Sequence, residues 1–264
     1  SIDFSFGDPG ANTITLTQGQ LSIASGTNIS IDGSGVEGLT INPGGTSRAM
    51  YVEGDTVALS NLTISGGSAD YGGGLYINYG TSVSLTNCTL STNTALSTGG
   101  AIYARSTANL SLNNSTLSGN TAVAGGGIYA KTVVNLSITN SQISQNEAEI
   151  GAGIHAERFV GALATPGIVT LTDSTVSENN GSLFGGGIYT SYINLSLVGT
   201  TVSSNSSAAG GGVVAIYDSV SLTNSTVSGN SAADAGGIYA HYNSVTLNNS
   251  TVTGNSATRF GGGI

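Results

Sequence analysis

Around Asn224 the chain alternates in a simple way. Val220, Leu222, Ser225 and Val227 fall on one side of the pattern, and Ser219, Ser221, Thr223 and Thr226 on the other, with the phase reset at Asn224. A period of two, broken at a turn residue, predicts short strands with one face inside rather than a helix. No stretch of the chain carries a sustained apolar stripe at helical spacing.

The unit recurs. Residues 219–243 read SVSLTNSTVSGNSAADAGGIYAHYN, and residues 108–133 read ANLSLNNSTLSGNTAVAGGGIYAKTV. Aligned, the repeats give a first column of Asn61, Asn87, Asn114, Asn140, Asp173, Gly199, Asn224 and Asn249, at spacings of 26, 27, 26, 33, 26, 25 and 25 residues. A second column holds Asn93, Asn120, Asn146, Asn179, Asn205, Asn230 and Asn255, and a glycine-rich column precedes Leu75, Ile102, Ile128, Ile154, Ile188, Val213, Ile238 and Ile264. A unit of about 25 residues cannot bury its own apolar face, but stacked units can. The predicted fold class is therefore all-β: a right-handed parallel β-helix, or β-solenoid. Each coil carries three short strands separated by turns at Asn, Asn and Gly, and each strand pairs in parallel with its equivalent about 4.8 Å away.

Residues 56–264 form the regular repeats, and the 33-residue spacing places an insertion near 157–167. Residues 1–55 lack the asparagine columns and read as an N-terminal cap with irregular first coils, continuous with the same solenoid domain. The inward columns are expected to be Leu62, Ile64, Leu85, Leu90, Leu112, Leu117, Ile138, Ile143, Leu171, Val176, Leu197, Val202, Leu222, Val227, Leu247 and Val252. Eight repeats and about three irregular coils predict a rod of roughly 50 Å. The asparagines suit turns that need left-handed backbone angles, and stacked carboxamides can hydrogen-bond along the axis as a ladder.

Composition narrows the function. Charged residues are 7% of the chain and the net charge is −9. The five basic residues, Arg48, Arg105, Lys131, Arg158 and Arg259, are scattered, so no basic patch exists to meet nucleic-acid phosphates. No apolar run reaches the roughly 18 residues of a membrane-spanning helix, so no membrane insertion within this chain is expected. The opening Ser-Ile-Asp-Phe-Ser-Phe reads as a mature or trimmed end. The single cysteine, Cys88, stands in a column of small residues and reads as core.

The motifs that carry chemistry elsewhere are weak here. Gly33-Ser-Gly-Val-Glu-Gly38 fits a dinucleotide fingerprint only formally, because it leads into the strand-like Leu39-Thr-Ile41 instead of a helix. The glycine column lacks the aspartates of calcium-binding repeats, so no metal and no cofactor is expected. Glu147, Glu149, His155, Glu157 and Arg158 are the densest ionisable group and adjoin the insertion, but they read as loop charge, and no catalytic residue is assigned. The Asn-x-Ser/Thr triplets at Asn61, Asn87, Asn114, Asn224 and Asn249 fall in the turn column, so the repeat itself generates them.

Two surface features remain. Tyr76, Tyr103, Tyr129, Tyr189 and Tyr239 share one column and, by alternation, face outward as an exposed row for contact with sugars or a neighbouring molecule. Ser84/Thr86, Ser137/Thr139, Thr170/Thr172 and Ser221/Thr223 form a two-column hydroxyl face, interrupted at Asn113, Val198 and Asn248.

The opening TITLTQGQLSIASGTNISIDGSGVEGLTI, Ser47-Arg48, LSNLTISGG at residues 59–67 and the repeated NSTVSGN…GGGIY resemble large bacterial surface proteins with right-handed β-helix repeats. They are similar to polymorphic outer-membrane proteins and autotransporter passengers, whose GGAI phrase stands literally at Gly99 to Ile102; their FxxN phrase here has Val, Leu or Ile for Phe. The resemblance implies an extracellular, cell-surface β-helix, a fold that hosts adhesins, lyases and structural fibres alike; low charge, the lack of a catalytic cluster and the regular columns point to a structural or adhesive role and no enzymatic activity. Binding of polysaccharide or ice through the Ser/Thr face or the Tyr column is the alternative, and a carbohydrate-active site at residues 147–158 a third. The chain stops at Gly261-Gly-Gly-Ile264, part way through a repeat. The expected partner is therefore the remainder of a longer surface protein, or another copy in a head-to-tail filament through Ile2, Phe4, Phe6 and Ile264; glycans are the other partner class.

Overall fold

A computed structural model describes residues 2–3, 12–106, 109–132, 135–158, 167–217 and 219–264. The described chain has no helix and winds as a parallel β-solenoid. Its first lane is a ten-stranded sheet running from Ile2–Asp3 to Ser244–Asn248, its second a ten-stranded sheet from Thr13–Thr15 to Thr251–Thr253, and its third a nine-stranded sheet from Leu21–Ile23 to Ile238–His241. Strand pairing is in register from coil to coil: Val83 pairs with Leu110 and Leu85 with Leu112, as Leu90 does with Leu117. Ten strands at about 4.8 Å make a stack of about 45 Å, one coil shorter than the sequence count.

A fourth, narrower lane was not anticipated. Between the second and third lanes, segments such as Thr94–Thr98, Glu147–Ile150 and Asn180–Phe184 pair with their equivalents through a register shift. Isolated bridges such as Thr121↔Glu147 and Ser206↔Ser231 join them up. The sequence hides this lane because it bulges, so its alternation is lost within two residues.

The corners are where the asparagine expectation divides. The first column does sit in the left-handed region, from Asn61 (φ 56°) to Asn249 (φ 49°), with Asp173 (φ 47°) and Gly199 (φ 59°) in the same conformation. The second column does not supply its own turn. The left-handed residue there is the one before it, Thr92, Gln145, Glu178 or Ser204, and the asparagine itself turns inward. Asn93, Asn120, Asn146, Asn179, Asn205 and Asn230 are fully buried. Each carboxamide closes a circuit. Asn146 Oδ1 accepts from Asn120 N (3.0 Å) and Asn120 Nδ2 (2.9 Å), while Asn146 Nδ2 donates to Leu117 O (3.1 Å) and Asn179 Oδ1 (2.9 Å). The same pattern repeats at Asn120, Asn179, Asn205 and Asn230.

A hydroxyl column runs parallel to it. Ser115 Oγ accepts from Cys88 N, Ser141 Oγ from Ser115 N, Ser174 Oγ from Ser141 N, and Ser225 Oγ from Thr200 N. Cys88 is the buried start of this column, as expected of a small core residue, and burial pushes its thiol above the ordinary value. At the glycine corner the coils nearly touch: a Cβ on Gly100 would overlap Gly126 O.

The expected core is buried from Leu62 through Val227, with Leu171 at 0% exposure. Leu247 departs from it at 43%, and Val252 is only partly covered, because no described coil lies on their far side. The Tyr column also departs from expectation. It points away from the coil interior, yet Tyr103 and Tyr129 are only 6% and 7% exposed, packed with Ala124 and Ile150 of the fourth lane. Tyr76, Tyr189 and Tyr239 are half-buried. Phe4, Phe6 and most of the expected insertion lie outside the described residues; Ile2 pairs with Ile31 of its own chain.

Replacing Asn146 by Ala strips the acceptor from two buried donors on Asn120 and the donor from Leu117 O. The expected cost is about 3–9 kcal/mol, at about 1–3 kcal/mol for each of these three buried groups. Denaturant unfolding of the variant against wild type measures it. A cost near that of an exposed Asn114→Ala change is the contrary result.

Candidate functional site

Two outward hydroxyl lanes meet at the first asparagine corner. On the first lane Ser84, Ser111, Ser137, Thr170, Ser196 and Ser221 stand in register. The second lane carries a more regular array that sequence reading passed over. Thr63/Ser65, Thr89/Ser91, Thr116/Ser118, Gln142/Ser144, Thr175/Ser177, Thr201/Ser203, Thr226/Ser228 and Thr251/Thr253 are paired coil to coil. Its signal was present in the repeated T-x-S phrase after each turn asparagine.

The corner between the lanes is an exposed carboxamide ladder. Asn61 Nδ2 donates to Asp32 Oδ1 (2.7 Å), Asn87 Nδ2 to Asn61 Oδ1 (3.0 Å), Asn114 Nδ2 to Asn87 Oδ1 (2.6 Å), and Asn249 Nδ2 to Asn224 Oδ1 (2.7 Å). Four hydrogen bonds, from Asn61 first and then the Ser34 hydroxyl, the Ser34 backbone N–H and the Ser60 hydroxyl, hold the Asp32 carboxyl well below the usual range. Over Asn140, Asp173 and Gly199 the ladder is open: the side chains of Asn140 and Asp173 take no hydrogen bond within the described chain. There the corner widens into a depression of about 510 Å³ lined by Asn114, Ser115, Thr116, Asn140, Ser141, Gln142, Asp173 and Thr175.

On the opposite side, the third lane carries an aromatic stack outside the coil. Tyr51 and Tyr76 are 5.1 Å apart, Tyr76 and Tyr103 4.9 Å, and Tyr103 and Tyr129 5.5 Å. His155 continues it, 4.7 Å from both Tyr129 and Tyr189. The Arg48 guanidinium lies 4.9 Å from the centre of the Tyr76 ring, a cation–π contact at the column's start. Burial pushes Tyr103 up to about 12 and Tyr129 higher still, the latter helped by its hydrogen bond to Glu157.

The ionisable group singled out from the sequence is divided. Glu157 lies beside His155 (Nε2 to Oε2, 3.5 Å) and accepts a hydrogen bond from the Tyr129 hydroxyl. The His155 contact is at ion-pair rather than hydrogen-bond geometry, and both its ring nitrogens are buried without a hydrogen-bond partner. Glu147 and Glu149 instead edge a depression of about 250 Å³ on the fourth lane with Thr121, Val123, Asn180 and Ser182.

A second aromatic column was also missed. Tyr192, Tyr217 and Tyr242 stack at 4.7 Å and 5.1 Å with rings 14° and 3° from parallel. All three have positive φ, from 55° to 61°, a rare setting for a bulky side chain. Tyr217 and Tyr242 are exposed. Their even 25-residue spacing in the sequence was the available clue. Among the described residues no cluster of three or more His, Cys, Asp or Glu has the arrangement to hold a metal ion. No described helix is long and apolar enough to cross a membrane.

Comparison with known proteins gives one match. Residues 14–192 fit the family described as right handed beta helix region. No curated protein and no solved structure matches.

The His155 ring, then the Tyr129 hydroxyl and the positive charge of Lys131, hold the Glu157 carboxyl below its ordinary value of 4.5. A carboxyl depressed in the folded state stabilises it above the unfolded value, and that contribution is lost as pH falls through the folded one. Glu157→Ala is therefore expected to cost about 1–2 kcal/mol at pH 7. The gap to wild type should narrow as pH drops below 4.5. Thermal unfolding of both proteins from pH 7 to pH 3 checks it; a gap independent of pH contradicts it.

Proposed function

The chain belongs to the right-handed β-helix family, and from that premise we propose that it is a structural and adhesive element of a bacterial surface protein, displayed outside the cell. The observation that carries this reading is the pair of outward hydroxyl lanes. In-register Thr, Ser and Asn columns run along the solenoid and meet at a carboxamide-lined corner. A surface of repeated neutral donors and acceptors, spaced by the rung distance, suits contact with extended uncharged polymers, since each rung offers the same hydrogen-bonding groups. Charged residues are few and the net charge of −9 does not attract an uncharged polymer, so attachment grows from many weak contacts along the rod.

Turnover has little support from the arrangement. His155 is held in an aromatic stack, Glu157 is engaged by Tyr129, and Glu147 and Glu149 face a different lane. A general acid and base need to converge on one reacting bond.

The test is retention on insoluble polysaccharides and intact bacterial cells, read by co-sedimentation, with the same polysaccharides assayed for released ends. Adhesion without cleavage is expected. Cleavage abolished by Glu149→Gln or His155→Ala would establish an enzyme instead. Thermal hysteresis without retention on any polysaccharide would identify the hydroxyl face with ice.

A further inference from the structure

We propose that the gap in the exposed asparagine ladder, at Asn140, Asp173 and Gly199, is a recognition site for one uncharged sugar ring of a polysaccharide lying along the corner. The inference deepens the adhesive reading and rests on it.

The argument starts from what closes the ladder elsewhere. From Asp32 to Asn114 each carboxamide gives a proton to the oxygen of the coil before, so the side chains satisfy one another. Asn114 Oδ1 is the last acceptor of that run. Asn140 does not donate to it, although it holds the same left-handed corner conformation (φ 49°). One coil on, Asp173 has no proton to give. One further on, Gly199 has no side chain, and the Asp173 carboxylate leans into the space: a Cβ on Gly199 would overlap Asp173 Oδ1. Glycine at this one corner is thus what lets the carboxylate take its position.

The outcome is a 510 Å³ depression in which the Asn140 carboxamide, the Asp173 carboxylate and the acceptor of Asn114 are all unspent. Gln142, Thr116 and Thr175 form its rim. A carboxylate only accepts, whereas carboxamides and hydroxyls both donate and accept. The set is therefore rich in acceptors, with donors to either side. Vicinal hydroxyls on a sugar ring fit it, two protons to the carboxylate and ring oxygens to the amides. Anionic ligands do not fit, since Asp173 and the net charge of −9 repel them. The lining holds no aromatic face, so recognition is by hydrogen bonds, wet and modest in affinity. The corner continues past the site in both directions along the lanes, so the ring can belong to a chain rather than a free monosaccharide.

The probes are soluble hexamers of glucose, xylose and mannose, with a protonated glucosamine hexamer as the cationic arm, each titrated calorimetrically into the full chain. Asp173→Asn keeps shape and supplies the residue used at most other corners, so folding is retained; thermal unfolding confirms this. Expected is binding of a neutral hexamer that Asp173→Asn weakens about tenfold or more. Gly199→Asn, which displaces the carboxylate, should do the same, and Asn61→Ser, in the closed ladder two coils before Asn114, should leave binding unchanged. Equal binding by wild type and Asp173→Asn overturns the site while leaving adhesion intact. Binding of the cationic hexamer alone overturns the neutral-sugar assignment. Retention on insoluble polysaccharide with no hexamer bound also overturns this site alone, whereas loss of retention overturns the adhesive reading together with it.

Discussion

The buried asparagine ladder is the constraint on which the rest of the solenoid depends. Turning the chain inward between the second and fourth lanes strands backbone groups inside an apolar core, where an unpaired polar group costs about 1–3 kcal/mol. The Asn93 to Asn255 column meets that cost with one side chain per coil, since a carboxamide accepts twice and donates twice. Every coil needs its neighbour's asparagine to satisfy its own, so the ladder fixes the rung register, and the register aligns every outward column. The regular hydroxyl lanes are a consequence of that interior bonding.

The exposed ladder at the first corner obeys different economics. Its members face water, so a missing rung costs little and the sequence is free to vary there. That freedom is where Asp173 and Gly199 appear, whereas the buried column is asparagine throughout its described length from Asn93 to Asn255. The same contrast holds on the third lane: the inward Ile column is conserved in kind along the rod, while the outward aromatic column admits His155 and Val214.

The aromatic column also shows why a charge cluster in sequence is a poor guide to chemistry in a solenoid. Residues two apart on a strand share a face, so His155 and Glu157 meet, but residues on either side of a corner belong to different lanes. Glu147 and Glu149 are therefore neighbours of Asn180 and Ser182, one coil away, rather than partners of Glu157. The buried His155 is held between the Tyr129 and Tyr189 rings and serves as a packing element of the column.

The sequence by itself determined the coil. Period-two alternation, a repeat near 25 residues and recurring turn asparagines leave parallel stacking as the way to bury Leu85, Leu112, Ile138 and their equivalents. It also determined the left-handed corner at the first asparagine column, because few residues tolerate that conformation. What only the tertiary structure decided depends on groups brought together from different coils. The second asparagine column was legible as a column but not as buried, since the turn itself falls on the preceding residue. The Tyr column was legible as outward but not as covered, because the fourth lane that covers it bulges out of any simple period. The opening in the exposed ladder at Asp173 and Gly199 takes its meaning from a side chain one coil away, a distance of 26 residues in sequence and a single rung in space.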